Sequence, residues 1–267
     1  METIIYEKKN NIRILTLNRP HRANALNQQM DKEMSEAVTD FTTDPDARVL
    51  IVTGAGEKHF SAGMDLKEVG ERQAAGLPAR DTTHKLSIQI GVSDIWKPII
   101  AAINGDAVGG GLEICLGCDI RIAAENARLG LQEPKFGLVP GLGIYRLPRM
   151  INFGWALELL LTGDLIPASE ALRIGIVNQV VPFSELMPAA QRMAERIVAC
   201  APLAVQAIKE SAYRSHDMSL RDALAAKFGP SVRDSEDFKE GVRAFAERRK
   251  PVWKGRQLYP AEDSLLV

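Results

Sequence analysis

The sequence predicts an α/β fold assembled from repeated strand-strand-helix units, and two observations lead to it. Short apolar runs without alternation, Arg48 to Thr53 and Pro98 to Ile103, suit strands buried on both faces. Each run ends in turn chemistry, Gly54-Ala-Gly56 after the first and Asn104-Gly105-Asp106 after the second, and the strand-strand-helix order of the N-terminus returns near 98–116. A spiral of ββα units has this order.

Taken in turn, Thr3 to Lys8 and Ile12 to Leu17 read as strands joined through Asn10-Asn11. Asn27 is a helix N-cap, Met30, Met34, Val38 and Phe41 follow at helical spacing, and Pro45 closes the segment. From Glu68 to Thr83 the chain is polar and glycine-bearing without a usable period, which reads as a flap, and a helix from about His84 to Trp96 leads back to the central strand. Beyond Arg146, helices are expected at Asn152 to Leu161 and Ala168 to Arg173, a strand at Ile176 to Val181, and amphipathic helices from Ser184 onward. Residues 1–194 therefore read as a core that carries the site, and residues 195–267 as a helical C-terminal subdomain.

Composition narrows the function. A chain of 267 residues that is 46% hydrophobic supports one sizeable core, and a net charge of −1 carries no polycation signal for nucleic acid or anionic membrane. No run reaches the length of a membrane span, and Met1-Glu-Thr-Ile-Ile lacks the basic start of a signal peptide, so a cytoplasmic location is expected. Cys115 and Cys118 spell C-x-x-C, but no second pair follows and both sit in an apolar helix end, where buried structural cysteine is the commoner outcome. His21, His59, His84 and His216 are scattered, so neither a metal nor a disulfide is expected.

The chemistry concentrates between Lys97 and Gly143. Gly109-Gly110-Gly111 falls where a helix begins, and there backbone N–H groups and the positive end of the helix dipole can stabilise negative charge. Glu113 lies in the first helical turn among Leu112, Ile114 and Cys115, and Glu133 lies at a loop or short-helix edge before Pro134. A glutamate in a first turn is by itself commonly a complement to the dipole. Two glutamates meeting in a partly apolar pocket disfavour double ionisation, which makes one a general acid beside a general base.

Asn104-Gly-Asp-Ala-Val-Gly-Gly-Gly-Leu-Glu113, with Cys118-Asp119 and Gly137-Leu-Val-Pro-Gly141, resembles the signature of the enoyl-CoA hydratase/isomerase (crotonase) superfamily. Leu17-Asn-Arg-Pro20, Ala23-Asn-Ala-Leu26, Ile51 to Glu57, Phe60 to Lys67, Leu161-Thr-Gly163 and Gly175-Ile-Val177 extend the resemblance over roughly residues 3 to 255. It implies a crotonase (ClpP-like) spiral of ββα units whose helical C-terminal subdomain trimerises. It also implies an acyl-CoA thioester as substrate, with no cofactor bound permanently and coenzyme A entering as part of that substrate.

The resemblance further implies that the backbone N–H groups of Met64 and Gly110 form an oxyanion hole, with Glu113 and Glu133 as the acid/base pair. Coenzyme A contacts would come from Ala23, Ala25, Leu26, Ser61, Ala62, Asp65, Leu66 and Lys67, and from Phe245 and Arg248 in the final helix. The implied reaction adds or removes water across the Cα=Cβ bond. An enoyl-CoA isomerase, a carnitinyl-CoA dehydratase, which the C-terminal stretch Phe245 to Arg256 resembles, and a non-catalytic CoA- or RNA-binding protein on the same fold are the alternatives. The expected assembly is a trimer or a dimer of trimers. One departure stands out: Pro140-Gly-Leu-Gly-Ile-Tyr-Arg-Leu147 is one residue shorter than the family pattern, with Ile144 in place of a second glycine, so the pocket near the catalytic water is expected to be altered.

Overall fold

The computed structural model describes residues 1–78 and 95–255, and its contacts divide the chain into two compact units, Met1–Ile95 with Ile99–Ala194, and Trp96–Pro98 with Glu195–Val267. The first unit is strand-rich. Strands β1 (Ile4–Lys9), β2 (Ile12–Leu17), β3 (Val49–Gly54), β5 (Ile99–Ile103), β7 (Ile120–Ala124) and β10 (Gln179–Val181) form one sheet in the order β1-β2-β3-β5-β7-β10. Its members are parallel except for the β1–β2 hairpin, where Asn10 adopts the left-handed φ of 52° that the tight connection demands. Strands β3 and β5 are buried along their whole length, as their unbroken apolar runs require.

A second, smaller sheet has the order β4 (His59–Ser61), β6 (Asp106–Val108), β8 (Arg128–Gly130) and β9 (Ile166–Pro167). Each of its first three strands follows a strand of the large sheet after a few residues, so the chain alternates between the two sheets. That alternation is the ββα spiral. Helix α1 (Gln28–Thr43) is capped by Asn27, whose Oδ1 accepts from the Met30 N–H at 3.0 Å, and it lays Met30, Met34, Val38 and Phe41 against β1 and β2.

Helix α2 (Leu66–Ala74) stands where an irregular flap is expected. It buries none of its residues, so it has no apolar stripe for a periodicity to reveal, and it starts on the Asp65 side-chain cap instead. The helix expected over His84 to Trp96 falls mainly outside the described residues, and Ile95 and Trp96 are not helical. Helices α3 (Gly110–Gly117), α4 (Gly143–Met150), α5 (Phe153–Thr162) and α6 (Ala168–Arg173) complete the unit with the start of α7 (Leu186–Val198). Strand β10 is shorter than Ile176 to Val181 because the Arg121 side chain donates to the Ile176 carbonyl at 2.6 Å and Asn178 Oδ1 accepts from the Arg121 N–H at 2.8 Å. These side-chain contacts replace part of the ladder.

The second unit is helical, with the rest of α7, then α8 (Pro202–Arg214), α9 (Leu220–Ala225) and α10 (Glu236–Ala246). Two carboxylates of α10 hold the segment that follows it. Glu240 takes both Nη atoms of Arg249 and the Val252 N–H, and Asp237 takes the N–H groups of Lys254 and Gly255. The indole N–H of Trp253 donates to the Ala199 carbonyl at 2.7 Å. Among the described residues no helix is long and apolar enough to cross a membrane.

Glu33 ties α1 to the beginning of β1. Its buried carboxylate accepts from the N–H groups of Glu2, Thr3 and Ile4 and from the Thr3 hydroxyl at 2.7–3.1 Å. Burial alone would raise its pKa, but the Glu2 N–H, the Gln29 amide and both Thr3 donors outweigh it and lower the value to about 2. The stability this carboxylate contributes is full above its ordinary pKa of about 4.3 and is lost as pH falls toward 2. Glu33→Gln should cost about 2 kcal/mol at pH 7 in denaturant titrations, and the gap to the parent should close on acidification from pH 5 toward 2.

Candidate active site

Two loops meet at the C-terminal ends of β4 and β6. The loop after β2 turns through Ala23 and Asn24, both left-handed at φ near 50°, and lies along residues 61–65 as an irregular ribbon. Ala62 N–H donates to the Ala23 carbonyl at 3.0 Å, Leu26 N–H to the Gly63 carbonyl at 2.8 Å and Asp65 N–H to the Leu26 carbonyl at 2.9 Å. Ser61 Oγ donates to the Asn24 carbonyl and accepts from the Gly63 N–H. Arg19 clamps the assembly, donating from Nη1 to the Ala25 carbonyl at 2.7 Å and to Asp65 Oδ2 at 3.0 Å.

The ribbon bonds bypass the Met64 N–H, and Gly110, as the first residue of α3, has no carbonyl within the helix to receive its own. The two donors are neighbours. Gly63 has φ +79°, and a Cβ on it would lie 2.9 Å from the Gly110 nitrogen, so only glycine allows the turns to approach this closely. Of the eight residues expected here, Ala23, Ala25, Leu26, Ser61, Ala62, Asp65, Leu66 and Lys67, all lie in this one region. Ser61 and the Asp65 carboxylate are engaged within the loops, whereas Ala62, Leu66 and Lys67 are exposed. Phe245, in α10, and Arg248, just beyond it, are exposed residues of the second unit.

Beside the donors lies a cavity of about 520 Å³ lined mostly by apolar groups, among them Leu26, Met64, Val108, Phe136, Leu142 and Leu165, with Glu113 and Glu133 in its wall. Glu113 is oriented entirely by backbone. Its Oε1 accepts from the N–H of Leu142 at 2.5 Å and of Gly143 at 2.9 Å, at the start of α4. Those two donors engage Oε1.

Glu133 opens a short 3₁₀ turn, Glu133–Phe136, and its Oε2 is buried without a protein partner among the described residues. Burial raises its pKa to about 7, with the nearby Glu113 charge adding to the rise and its own backbone N–H opposing it. Gly109, at φ +54°, makes room for it, since a Cβ there would lie 3.1 Å from Glu133 Oε1. The site thus sets a carboxyl whose pKa is raised to about 7 beside one whose Oε1 is held by two backbone donors.

The shortened stretch acts differently from expectation. Ile144 and Tyr145 belong to the first turn of α4 and do not line the cavity; the loop reaches the site through the N–H groups of Leu142 and Gly143. Arg19, Asn24 and these two N–H groups were not singled out from sequence. A polar residue suited to left-handed turns and the start of a helix were the available signals, but their partners lie far along the chain.

The model of the enoyl-CoA hydratase/isomerase family matches residues 7–256. The chain belongs to that family. Among its relatives, the (E)-benzylidenesuccinyl-CoA hydratase of Thauera aromatica is 44% identical over 257 residues, 94% of this chain and 99% of that protein. The carnitinyl-CoA dehydratase of Salmonella agona (strain SL483) is 44% identical over 252 residues, 91% of this chain and 94% of that one. The crystal structure of the enoyl-CoA hydratase from Mycobacterium tuberculosis H37Rv superposes with a TM-score of 0.87 at 37% identity, covering 96% of this chain and all of that one. The family's fold, a crotonase spiral, is the fold of this chain.

Two expectations follow from the geometry. Because Glu133 has a raised pKa, it favours folding below its ordinary pKa and ceases to as pH rises through about 7. Glu133→Gln should therefore be more stable than the parent at pH 8, by about 1–2 kcal/mol given that the carboxyl is only partly removed from water, and the advantage should fade toward pH 5 in thermal melts. Inserting a glycine between Gly143 and Ile144 should displace the donors from Glu113 and lower turnover rather than raise it, by about a hundredfold for a shift of about 1 Å.

Proposed function

We propose that this protein is an enoyl-CoA hydratase that adds water reversibly across the Cα=Cβ bond of an acyl-CoA thioester, with coenzyme A present only as part of the substrate. The observation that carries the reading is the unequal carboxylate pair, Glu133 with a pKa of about 7 beside the backbone-held Glu113, in an apolar pocket next to the Met64 and Gly110 N–H groups. The hydratase and dehydratase names of its 44% identical relatives agree with it.

In this mechanism Glu113 Oε2 takes a proton from water as the water oxygen bonds to Cβ. The alkene electron pair shifts toward Cα and the carbonyl pair moves onto oxygen, giving an enolate that the Met64 and Gly110 N–H groups stabilise. Losing one such donor typically costs on the order of a hundredfold or more in rate. The enolate re-forms the carbonyl as Cα takes the proton of Glu133, and transfer of the proton from Glu113 to Glu133 restores the pair. The active state holds one proton on two carboxyls. A non-catalytic CoA- or RNA-binding role has no use for a carboxyl whose pKa is raised to about 7.

The assembly we assign is a homotrimer or a dimer of trimers. It is favoured by large apolar side chains exposed on the isolated chain, including Phe153, Leu161, Leu220, Leu224 and Phe245. A light-scattering mass equal to one 267-residue chain at micromolar concentration would overturn it.

For the chemistry, Glu113→Gln and Glu133→Gln should each lower hydration by about a hundredfold to ten-thousandfold, read as loss of enoyl absorbance. In the parent, kcat/KM for hydration should fall as pH rises above about 7, where Glu133 gives up its proton. Parental rates in both Gln variants would refute the assignment.

A further inference from the structure

The small sheet carries more than the reacting groups. β4, β6 and β8 run parallel, so their C-terminal ends lead to Met64, Gly110 and Glu133 while their N-terminal ends carry His59, Asp106 and Arg128. His59 is in register with Asp106, and the Ala107–Leu129 pairing sets Arg128 beside Asp106. All three line the cavity that holds Glu113 and Glu133, and all three also line a second cavity of about 500 Å³. Glu57, Lys58 and Glu125, of mixed charge, line only that outer cavity. The acyl pocket therefore has catalytic groups at one end, Val108 between, and a polar wall at the other.

That wall has a defined geometry. Arg128 donates from Nε to Asp106 Oδ1 at 3.0 Å and from Nη2 to Asp106 Oδ2 at 2.5 Å, a bidentate pair. Asp106 is buried, whereas the Arg128 side chain is 58% exposed. A guanidinium has five N–H donors in a rigid fork, and a carboxylate braced behind Nε and Nη2 leaves the Nη1 edge to present to another planar acceptor. A methyl-ended acyl chain offers nothing to such an edge, and a carboxylate matches it.

We propose that Asp106 and Arg128 form a subsite for a carboxylate at the far end of the acyl group, so that the substrate is the mono-CoA thioester of a dicarboxylic acid. This rests on reading the pocket as an acyl-CoA site. Gly109 lies three residue steps beyond Asp106, about 10 Å at roughly 3.3 Å per residue, which suits an acyl group of roughly six to eight carbons.

Calorimetric titration of the full chain with three CoA thioesters of equal length tests this, because binding needs no turnover. The ligands are adipoyl-CoA, hexanoyl-CoA and an acyl-CoA ending in trimethylammonium. Adipoyl-CoA should bind about tenfold or more tighter than hexanoyl-CoA, the size expected of a charge-assisted pair, and the preference should shrink with added salt. Arg128→Gln should abolish the preference and Asp106→Asn, which removes the brace, should reduce it. Equal binding of adipoyl- and hexanoyl-CoA, tighter binding of the cationic thioester, or an unchanged ratio in Arg128→Gln would overturn the subsite while leaving the acyl-CoA reading intact. Failure of all three to bind would overturn that reading and the subsite with it.

Discussion

The site depends on two backbone turns pressed closer than side chains permit. Gly63 and Gly110 meet with no room for a Cβ on Gly63, and Gly111 is similarly pressed on the Ser61 carbonyl, at a distance no real Cβ could hold. This approach makes neighbours of the Met64 and Gly110 N–H groups. It also explains why so much polar structure surrounds a place that itself carries none. Arg19, Asn24 and Ser61 spend their hydrogen bonds holding the first turn in position, while parallel pairing of β4 with β6 positions the second. The oxyanion role we propose for these backbone donors requires them to be fixed in advance, since the stabilising effect comes from dipoles that need not reorganise.

The unequal surroundings of the two glutamates follow from where each finds donors. Glu113 points at the beginning of a helix and receives two N–H groups; Glu133 Oε2 is buried and receives none among the described residues. Among the described residues no Lys or Arg contributes to the shift of Glu133, whose causes are burial, its own N–H and the other carboxylate. The asymmetry is therefore a property of the backbone path, chiefly of how the short loop enters α4, and not of a charged neighbour that a single substitution could remove.

Much of this was legible in the sequence where the information is local. The Asn27 cap and the spacing of Met30, Met34, Val38 and Phe41 identify α1, and unbroken apolar runs identify β3 and β5, because in each case burial imposes a period or forbids one. Helix α2 escaped because it buries nothing. Both glutamates were found from their neighbours, yet the donors that orient Glu113 lie 29 and 30 residues further on and are main-chain groups that any residue but proline would supply. Side-chain identity carries no trace of such a contact. Likewise Arg128 reads as an ordinary surface charge until sheet register places it beside Asp106.

That register gives the small sheet a second use. Its strands are three residues long or shorter, so the span from one end to the other is fixed by backbone geometry at about 3.3 Å per residue rather than by flexible side chains. Reacting groups sit where the strands end in glycine turns, and the polar row sits where they begin. A change of acyl length or terminus can then be met by replacing His59, Asp106 or Arg128 without touching the turns that hold the oxyanion donors. The Asp106–Arg128 pair is open to replacement as a unit: Arg128 is largely exposed, whereas Asp106 is buried, so exchanging both avoids leaving an unpaired buried carboxylate. Chemistry and selectivity occupy opposite ends of the same strands, and the constraint that makes one end intolerant of substitution leaves the other end open to it.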